Sequence, residues 1–95
     1  MRIAFAGFRH GHIVSLYQNA LQNPDITILG CWEEDDATRE ATKQDLNADF
    51  CYADYAALVS DPQVEAVAIG DYYAKRGRLV IEALKNGKQV SDLSN

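Results

Sequence analysis

One short turn near the start of the chain holds most of the residues with the chemistry to bind a ligand: Gly7, Phe8, Arg9, His10, Gly11 and His12. An apolar run from Ile3 to Ala6 precedes this turn and is typical of a buried strand, and apolar residues at helical spacing begin at Ile13. The free N–H groups of such a turn, with the positive end of the helix dipole, attract a phosphate. The sequence therefore predicts a strand, a turn and a helix that together can hold a phosphate group.

The turn departs from the dinucleotide-binding fingerprint G-x-G-x-x-G, in which each glycine meets a steric requirement. Gly7 takes the first glycine position, but Arg9 stands at the second and His12 at the third, with Gly11 one residue early. Two interpretations stay open, a shortened dinucleotide loop and an ordinary strand-to-helix turn. Arg9 either donates a charge-assisted hydrogen bond to a phosphate or is solvated, and His12 either donates to the same phosphate or packs on a neighbouring strand end.

A second candidate is Glu33, which follows a β-rich run from Ile26 to Trp32. It lies about 20 residues past the turn, where the dinucleotide fold places an acidic residue at the end of its second strand. A carboxylate here can accept hydrogen bonds from the adenosine ribose hydroxyls and would repel a 2′-phosphate, so NAD is expected as cofactor in preference to NADP. The alternative is that the acidic run only caps the next helix, a role expected of Asp35 or Asp36.

A third candidate segment is Gly70, Asp71 and Tyr72, which follows an apolar run from Val64 to Ile69. In an open parallel sheet, the loops after the carboxyl ends of the strands line the ligand crevice. This segment is therefore expected to face the first turn, and Tyr72 or Tyr73 would flank a cofactor ring. The other interpretation, favoured for Tyr73, is that the tyrosine begins the next helix and packs on it.

The remaining pattern predicts an α/β fold with a Rossmann-like, doubly wound parallel sheet in the order 3-2-1-4-5 and helices on both faces. Further strands are expected at Phe50–Tyr52 and Lys88–Val90. Further helices are expected at 36–47, with Ala37, Ala41 and Leu46 inward, at 55–60, and in a last helix that buries Leu79, Val80, Ala83 and Leu84.

The length, charge and composition of the chain exclude several classes of function. The chain has 95 residues and a net charge of −5, which predicts one small domain and argues against a nucleic-acid partner. No apolar run is long enough for a transmembrane helix and no signal peptide is recognisable, so a cytoplasmic protein without a membrane partner is expected. Cys31 and Cys51 do not form a disulfide framework, and with His10 and His12 they lack the spacing of metal ligands.

Several short motifs follow one another in a recognisable order: the Gly7–His12 turn, Glu33, Tyr52-x-Asp54-Tyr55, Asp61-Pro62-x-Val64-Glu65-Ala66-Val67 and Ala83-Leu84-x-x-Gly87-Lys88-x-Val90. In this order they resemble the N-terminal NAD(P)-binding domain of the glucose–fructose oxidoreductase/inositol dehydrogenase (Gfo/Idh/MocA) family. The resemblance covers nearly all of the chain. It implies hydride transfer on a sugar, a polyol or a related substrate in full-length relatives, which add a larger substrate domain.

The chain also departs from that family. The family's Glu-Lys-Pro segment, whose lysine helps catalysis, is missing after Val90, and Lys88 matches a strand lysine instead. Arg76 stands where a histidine is common. The resemblance therefore implies a truncated domain, 1–95, that binds a dinucleotide without turnover of its own, and no catalytic residue is assigned. A small enzyme that borrows groups from a partner chain and a non-catalytic assembly module are the alternatives.

The end of the chain suggests an assembly. A sheet that stops after its fifth strand leaves unpaired N–H and C=O groups along the segment Lys88–Leu93. Pairing such an edge with a second copy around a two-fold axis would cover it in both chains. A homodimer through the C-terminal sheet edge is therefore expected, with a soluble monomer as the rival outcome.

Overall fold

The computed structural model describes residues 1–9, 11–71 and 73–92. His10, Tyr72 and Leu93 lie outside the described residues. The strands are β1 (Arg2–Ala6), β2 (Thr27–Trp32), β3 (Ala66–Ile69) and β4 (Gln89–Asp92). The helices are α1 (His12–Gln22), α2 (Asp36–Leu46), α3 (Tyr55–Ser60) and α4 (Tyr73–Lys85). The predicted α/β class is confirmed.

The four strands form one parallel sheet in the order β2-β1-β3-β4. The central strand β1 aligns Ile3 with Ile28 of β2 and with Ala66 of β3. The chain leaves β1 in one direction to form β2 and later returns to its other side to form β3 and β4. This reversal is the topological switch point of a doubly wound sheet, where ligands bind beyond the carboxyl ends of the strands.

Helices cover both faces of the sheet because side chains along β1 alternate between them. Ile3 and Phe5 belong to a buried cluster with α1. Ala4 and Ala6 belong to a second buried cluster with α3 and α4. The first cluster is rich in aromatic rings, and the ring of Phe5 meets that of Tyr17 edge-on at a centroid distance of 5.0 Å. The predicted three-layer arrangement follows from this division of the core.

The predicted strand at Phe50–Tyr52 is wrong, so the expected order 3-2-1-4-5 holds for four of its five strands. This stretch is irregular and lies beside β2, where the Cys31 N–H donates to the Asp49 carbonyl at 2.9 Å. The Tyr52 hydroxyl donates to Asp61 Oδ2 at 2.9 Å. That bond, and the start of α3 at residue 55, draw the chain away from β2 before a ladder of backbone bonds can form.

Two helices bury different residues from those expected. Ala37 and Ala41 are exposed, whereas Thr42 is buried and Leu46 is half-buried. Thr42 and Leu46 are four residues apart and share one helix face, so α2 is rotated relative to the predicted stripe. On α4 the prediction for Leu84 is also wrong, because this side chain is 57% exposed.

Candidate functional site

The first turn is built around a glycine that no other residue can replace without strain. Gly7 has a φ of +84°, in the left-handed region that disfavours residues with a Cβ. A Cβ on Gly7 would lie 2.9 Å from the Asp71 backbone nitrogen and 3.0 Å from the Asp71 Cβ. The turn after β1 and the loop after β3 are therefore in direct contact.

Gly70 lies on the other side of this contact between the turn after β1 and the loop after β3, which we call the glycine junction. A Cβ on Gly70 would lie 2.5 Å from the Cβ of Ile13 and 2.7 Å from the Gly7 carbonyl oxygen. The Gly70 N–H donates to the Ala6 carbonyl at 2.9 Å. The absence of a side chain at Gly70 thus lets the first turn of α1 rest on the end of β3.

Gly11, the second glycine of the turn, behaves differently. Gly11 has an ordinary helical φ of −59°, and a Cβ placed on it would meet nothing within 4 Å. Within residues 11–22, α1 begins without a side-chain cap and without an acidic residue in its first turn. His12, the first residue of α1, is exposed. The start of α1 is therefore exposed at Gly11 and His12, and the positive end of the helix dipole there suits an anion.

Glu33 lies under the turn and is fully buried, with a side chain that is 0% exposed. Its Oε1 accepts the Phe8 N–H at 2.7 Å, and its Oε2 accepts the Asp35 N–H at 2.9 Å. Asp35 in turn caps α2 by accepting the Thr38 N–H, as expected for Asp35 or Asp36. The carboxylate thus ties the first turn to the start of α2.

Arg9 lies over this carboxylate and is surrounded by acidic side chains from two loops. Its Nε lies 3.5 Å from Glu33 Oε2, its Nη2 lies 3.3 Å from Glu34 Oε1, and its Nη1 lies 3.9 Å from Asp71 Oδ1. The Arg9 side chain is only 14% exposed, so Arg9 is an ion-paired residue and not a solvated one.

Two further charged residues, Glu34 and Lys75, belong to this group, and neither was singled out from the sequence. Lys75 of α4 forms an ion pair with Glu34 Oε1, and the Glu34 side chain is 30% exposed. We call Arg9, Glu33, Glu34, Asp71 and Lys75 the charge cluster. The acidic run after β2 was a signal for Glu34. Lys75 carried none, because only the packing of α4 brings it to β2.

A cavity of about 310 Å³ adjoins the charge cluster and shares Glu34 with it. Its other lining residues are Trp32, Tyr55, Arg78, Leu79 and Glu82. The rings of Trp32 and Tyr55 lie 5.3 Å apart, and the Tyr55 hydroxyl donates to the Leu79 carbonyl at 2.6 Å. Burial, and then the charge of Glu82, raise the pKa of the Tyr55 phenol, so this ring stays a neutral donor. The cavity suits a flat, aromatic ligand group.

A larger cavity, of about 360 Å³, lies at the opposite end of the sheet. Met1, Ile3, Asn23 and Gln89 are among its lining residues, which places it beside α1 near the amino ends of the strands. Among the described residues that line it, none carries a charged side chain. The candidate site is therefore assigned by the turn and the charge cluster and not by cavity size.

The structure brings most of the predicted site residues to one place. Gly7, Phe8, Arg9 and Glu33 meet Asp71 at the carboxyl ends of β1, β2 and β3, with Gly70 packed beneath. His10 and Tyr72 lie outside the described residues. Among the residues that are described, no cluster of three or more His, Cys, Asp or Glu side chains is placed to hold a metal ion. None of the helices described is long and apolar enough to cross a membrane.

Comparison with known proteins gives one family match. Residues 1–91 match the model of an oxidoreductase family with an NAD-binding Rossmann fold, GFO_IDH_MocA. Among curated proteins, none matches this chain significantly.

Solved structures share the fold over nearly the whole chain. An NAD-binding protein from Listeria innocua is 25% identical, with a TM-score of 0.80 over 96% of this chain. A protein from Erwinia carotovora atroseptica named as a candidate oxidoreductase is 22% identical, with a TM-score of 0.86 over 97% of this chain. Biliverdin reductase from Synechocystis, solved with biliverdin and NADP+, is 18% identical, with a TM-score of 0.77 over 96% of this chain. This chain spans only 26–28% of the length of these three proteins.

Proposed function

Because this chain belongs to the Gfo/Idh/MocA oxidoreductase family and forms its NAD-binding Rossmann domain, we propose that it binds NAD at the carboxyl ends of β1, β2 and β3. The observation that carries this proposal is the glycine junction. Gly7 and Gly70 bring two loops into contact at the switch point, and the start of α1 beside them is open in front of Gly11.

The proposal divides the site into three parts. The pyrophosphate lies on the turn after β1, where backbone N–H groups, His12 and the ion-paired Arg9 would donate to it. The adenosine half extends toward Glu33 and the end of β2. Gly70 and Asp71 form the wall on the nicotinamide side, and Tyr72, which the sequence predicted beside a cofactor ring, lies outside the described residues. A direct contact between Glu33 and the ribose stays a prediction, because both Glu33 oxygens already accept backbone N–H groups.

Hydride transfer is proposed only for an assembly larger than this domain. The chain spans about a quarter of the length of the solved relatives it matches. Lys88, which the resemblance identifies as a strand lysine, donates from Nζ to the Asp61 carbonyl at 2.8 Å and thereby anchors the loop after α3. We therefore propose a cofactor-binding role for this domain and assign it no catalytic residue. A sugar, a polyol or a related compound is the substrate class that the family implies.

Two further properties belong to this proposal. We propose a cytoplasmic location, which the two free thiols of Cys31 and Cys51 support, because thiols stay reduced in the cytoplasm. It is also proposed to form a homodimer through β4. This strand lies at one edge of the sheet, and Gln89 and Ser91 on it line the larger, apolar cavity. The alternative function, an assembly module without cofactor, would use the same edge.

Isothermal titration calorimetry of the 95-residue chain with NAD tests the proposed function. Binding of one NAD per chain is expected, with an affinity that weakens as salt increases because phosphates are bound by charged groups. The matched control is adenosine, which lacks the phosphates and should bind far more weakly. Absence of NAD binding at millimolar concentration would support the assembly module instead.

A further inference from the structure

We propose that Glu34, and not Glu33, makes this site select NAD over NADP, because Glu34 occupies two cations that would otherwise hold a 2′-phosphate. The inference rests on the proposed function and concerns the same site. It assigns the selectivity to a residue next to the one that the dinucleotide fold leads one to expect.

Glu33 is poorly placed to discriminate between the cofactors. Its side chain is 0% exposed, and its two oxygens accept the N–H groups of Phe8 and Asp35 at 2.7 and 2.9 Å. A ribose hydroxyl would have to reach a carboxylate that lies beneath the Arg9 side chain. Glu33 is therefore a positioning residue that holds the turn in the conformation to which a phosphate binds.

Glu34 is placed where the adenosine ribose would lie. Its side chain is 30% exposed and lines the cavity that is walled by Trp32 and Tyr55. It also contacts Arg9, which belongs to the turn proposed to hold the pyrophosphate. An adenosine with its base in that cavity and its phosphate at α1 must pass its ribose across Glu34.

The partners of Glu34 form a latent phosphate site. Arg9 Nη2 lies 3.3 Å from Glu34 Oε1, and Lys75 pairs with the same oxygen. A guanidinium and an ammonium that converge on one acceptor are suited to a phosphate. While Glu34 is ionised it pairs with both cations and repels a second anion. Without that charge, Lys75 loses this ion pair and Arg9 keeps its longer contacts with Glu33 and Asp71, so both cations can approach the 2′-phosphate of NADP.

The test is Glu34→Gln in the 95-residue chain, with the dissociation constants of NAD and NADP measured for each protein by calorimetry. We expect the ratio of the two constants to move toward NADP by about tenfold or more, because like charges placed together cost several kcal/mol. The ratio, and not the NAD affinity by itself, is the readout, because Glu34 lines the cavity beside which the adenosine ribose of either cofactor would lie. Raising the salt concentration should shrink the gain.

Two variants make the result specific. Glu40→Gln removes the same charge from α2, where Glu40 pairs with Lys43 at 3.5 Å, and it should leave the ratio unchanged. Lys75→Met added to Glu34→Gln should remove most of the gain in NADP affinity, because it removes one of the two cations. Adenosine 2′,5′-bisphosphate measured against adenosine 5′-monophosphate should repeat the shift, which assigns it to the 2′-phosphate.

The possible failures are distinguishable. If the unaltered chain binds neither cofactor, the proposed function fails and this inference fails with it. If NAD binds but Glu34→Gln leaves the ratio as it was, or moves it no more than Glu40→Gln does, the inference alone is overturned. A shift toward NADP that survives Lys75→Met and Arg9→Ala together would also overturn it, because no latent cation pair would then be responsible.

Discussion

The Glu33 carboxylate accepts the backbone N–H of Phe8 at 2.7 Å, across 25 residues of chain and out of contact with water. This bond joins the turn after β1 to the end of β2. The other oxygen of Glu33 accepts the Asp35 N–H, and Arg9 lies above the carboxylate. This one buried carboxylate therefore holds the candidate site in its shape.

Glu33→Ala is therefore expected to lower the free energy of unfolding by about 3 kcal/mol, since it leaves two buried or half-buried N–H groups without their acceptor. Urea denaturation measures the change. Glu40→Ala on the exposed side of α2 is the matched control and should cost less than about 0.5 kcal/mol. A loss of stability for Glu33→Ala as small as that of the control would mean that water readily replaces the carboxylate.

Gly7→Ala and Gly11→Ala form a second matched pair. At Gly7 the new methyl group requires a φ of +84° and a contact of 2.9 Å with the Asp71 nitrogen, so a loss of about 2 kcal/mol or more is expected. At Gly11 the φ is −59° and the space is open, so stability should change by less than about 1 kcal/mol. Equal melting temperatures for the two variants would contradict the described junction.

Arg9→Ala is expected to weaken NAD binding about tenfold at low salt and to reduce its salt dependence, because a donor to the phosphates is lost and the nearby carboxylates keep their charge. Arg9→Lys separates these two causes. A lysine keeps the charge but cannot span Glu33, Glu34 and Asp71 with one planar group, so an intermediate affinity is expected. An NAD affinity of Arg9→Ala that equals that of the unaltered chain at every salt concentration would exclude a phosphate role.

The two cysteines should differ sharply in reactivity. Burial, followed by the neighbouring Cys51, raises the pKa of the Cys31 thiol to about 12. Cys51 is exposed as a residue, but partial burial of its sulfur raises the pKa of this thiol as well. At pH 8.5 an alkylating reagent should therefore label Cys51 first, and Cys31 only on unfolding. Labelling of both thiols at one rate in the folded chain would contradict the packing of β2.

The raised pKa of the Cys31 thiol also predicts how the free energy of unfolding depends on pH. A thiol whose pKa is higher in the folded than in the unfolded chain stabilises the fold below the unfolded pKa, near 9.0, and this contribution is lost as the pH rises toward about 12. Cys31→Ala should reduce the slope of unfolding free energy against pH between 9 and 10, where the thiol ionises in the unfolded chain and not in the folded one. An unchanged slope there would mean that Cys31 ionises as easily in the folded chain.

The proposed homodimer is tested by sedimentation velocity over a series of micromolar concentrations. Ser91→Lys places a charge on edge strand β4 at the mouth of the apolar cavity and should shift the chain toward monomer. Ser60→Lys, at the exposed end of α3, is the control and should not. A single monomeric species of the unaltered chain, with rapid amide exchange along β4, would exclude an edge-paired dimer.

The sequence by itself determined the features that depend on neighbouring residues. The apolar run of β1 and the helical spacing of α1 predict these elements because side chains that share one face are only two residues apart in a strand and three or four apart in a helix. A cap of α2 at Asp35 or Asp36 was predictable because the side chain of a capping residue reaches only to a nearby N–H, here that of Thr38. The α/β class followed from the alternation of such elements.

Only the tertiary structure decided which of these residues meet. The stretch Phe50–Tyr52 has strand-forming residues, yet the bond from Tyr52 to Asp61 turns it away from β2. Arg9 was a candidate for phosphate binding, but its three acidic partners come from loops that the sheet brings together. Glu33 stood where a ribose ligand was expected, and packing instead committed its oxygens to the backbone. Most contacts of this kind join segments 24 or more residues apart. Their geometry is set by the register of the strands and by the close approach at Gly7 and Gly70, neither of which local residue preferences can specify.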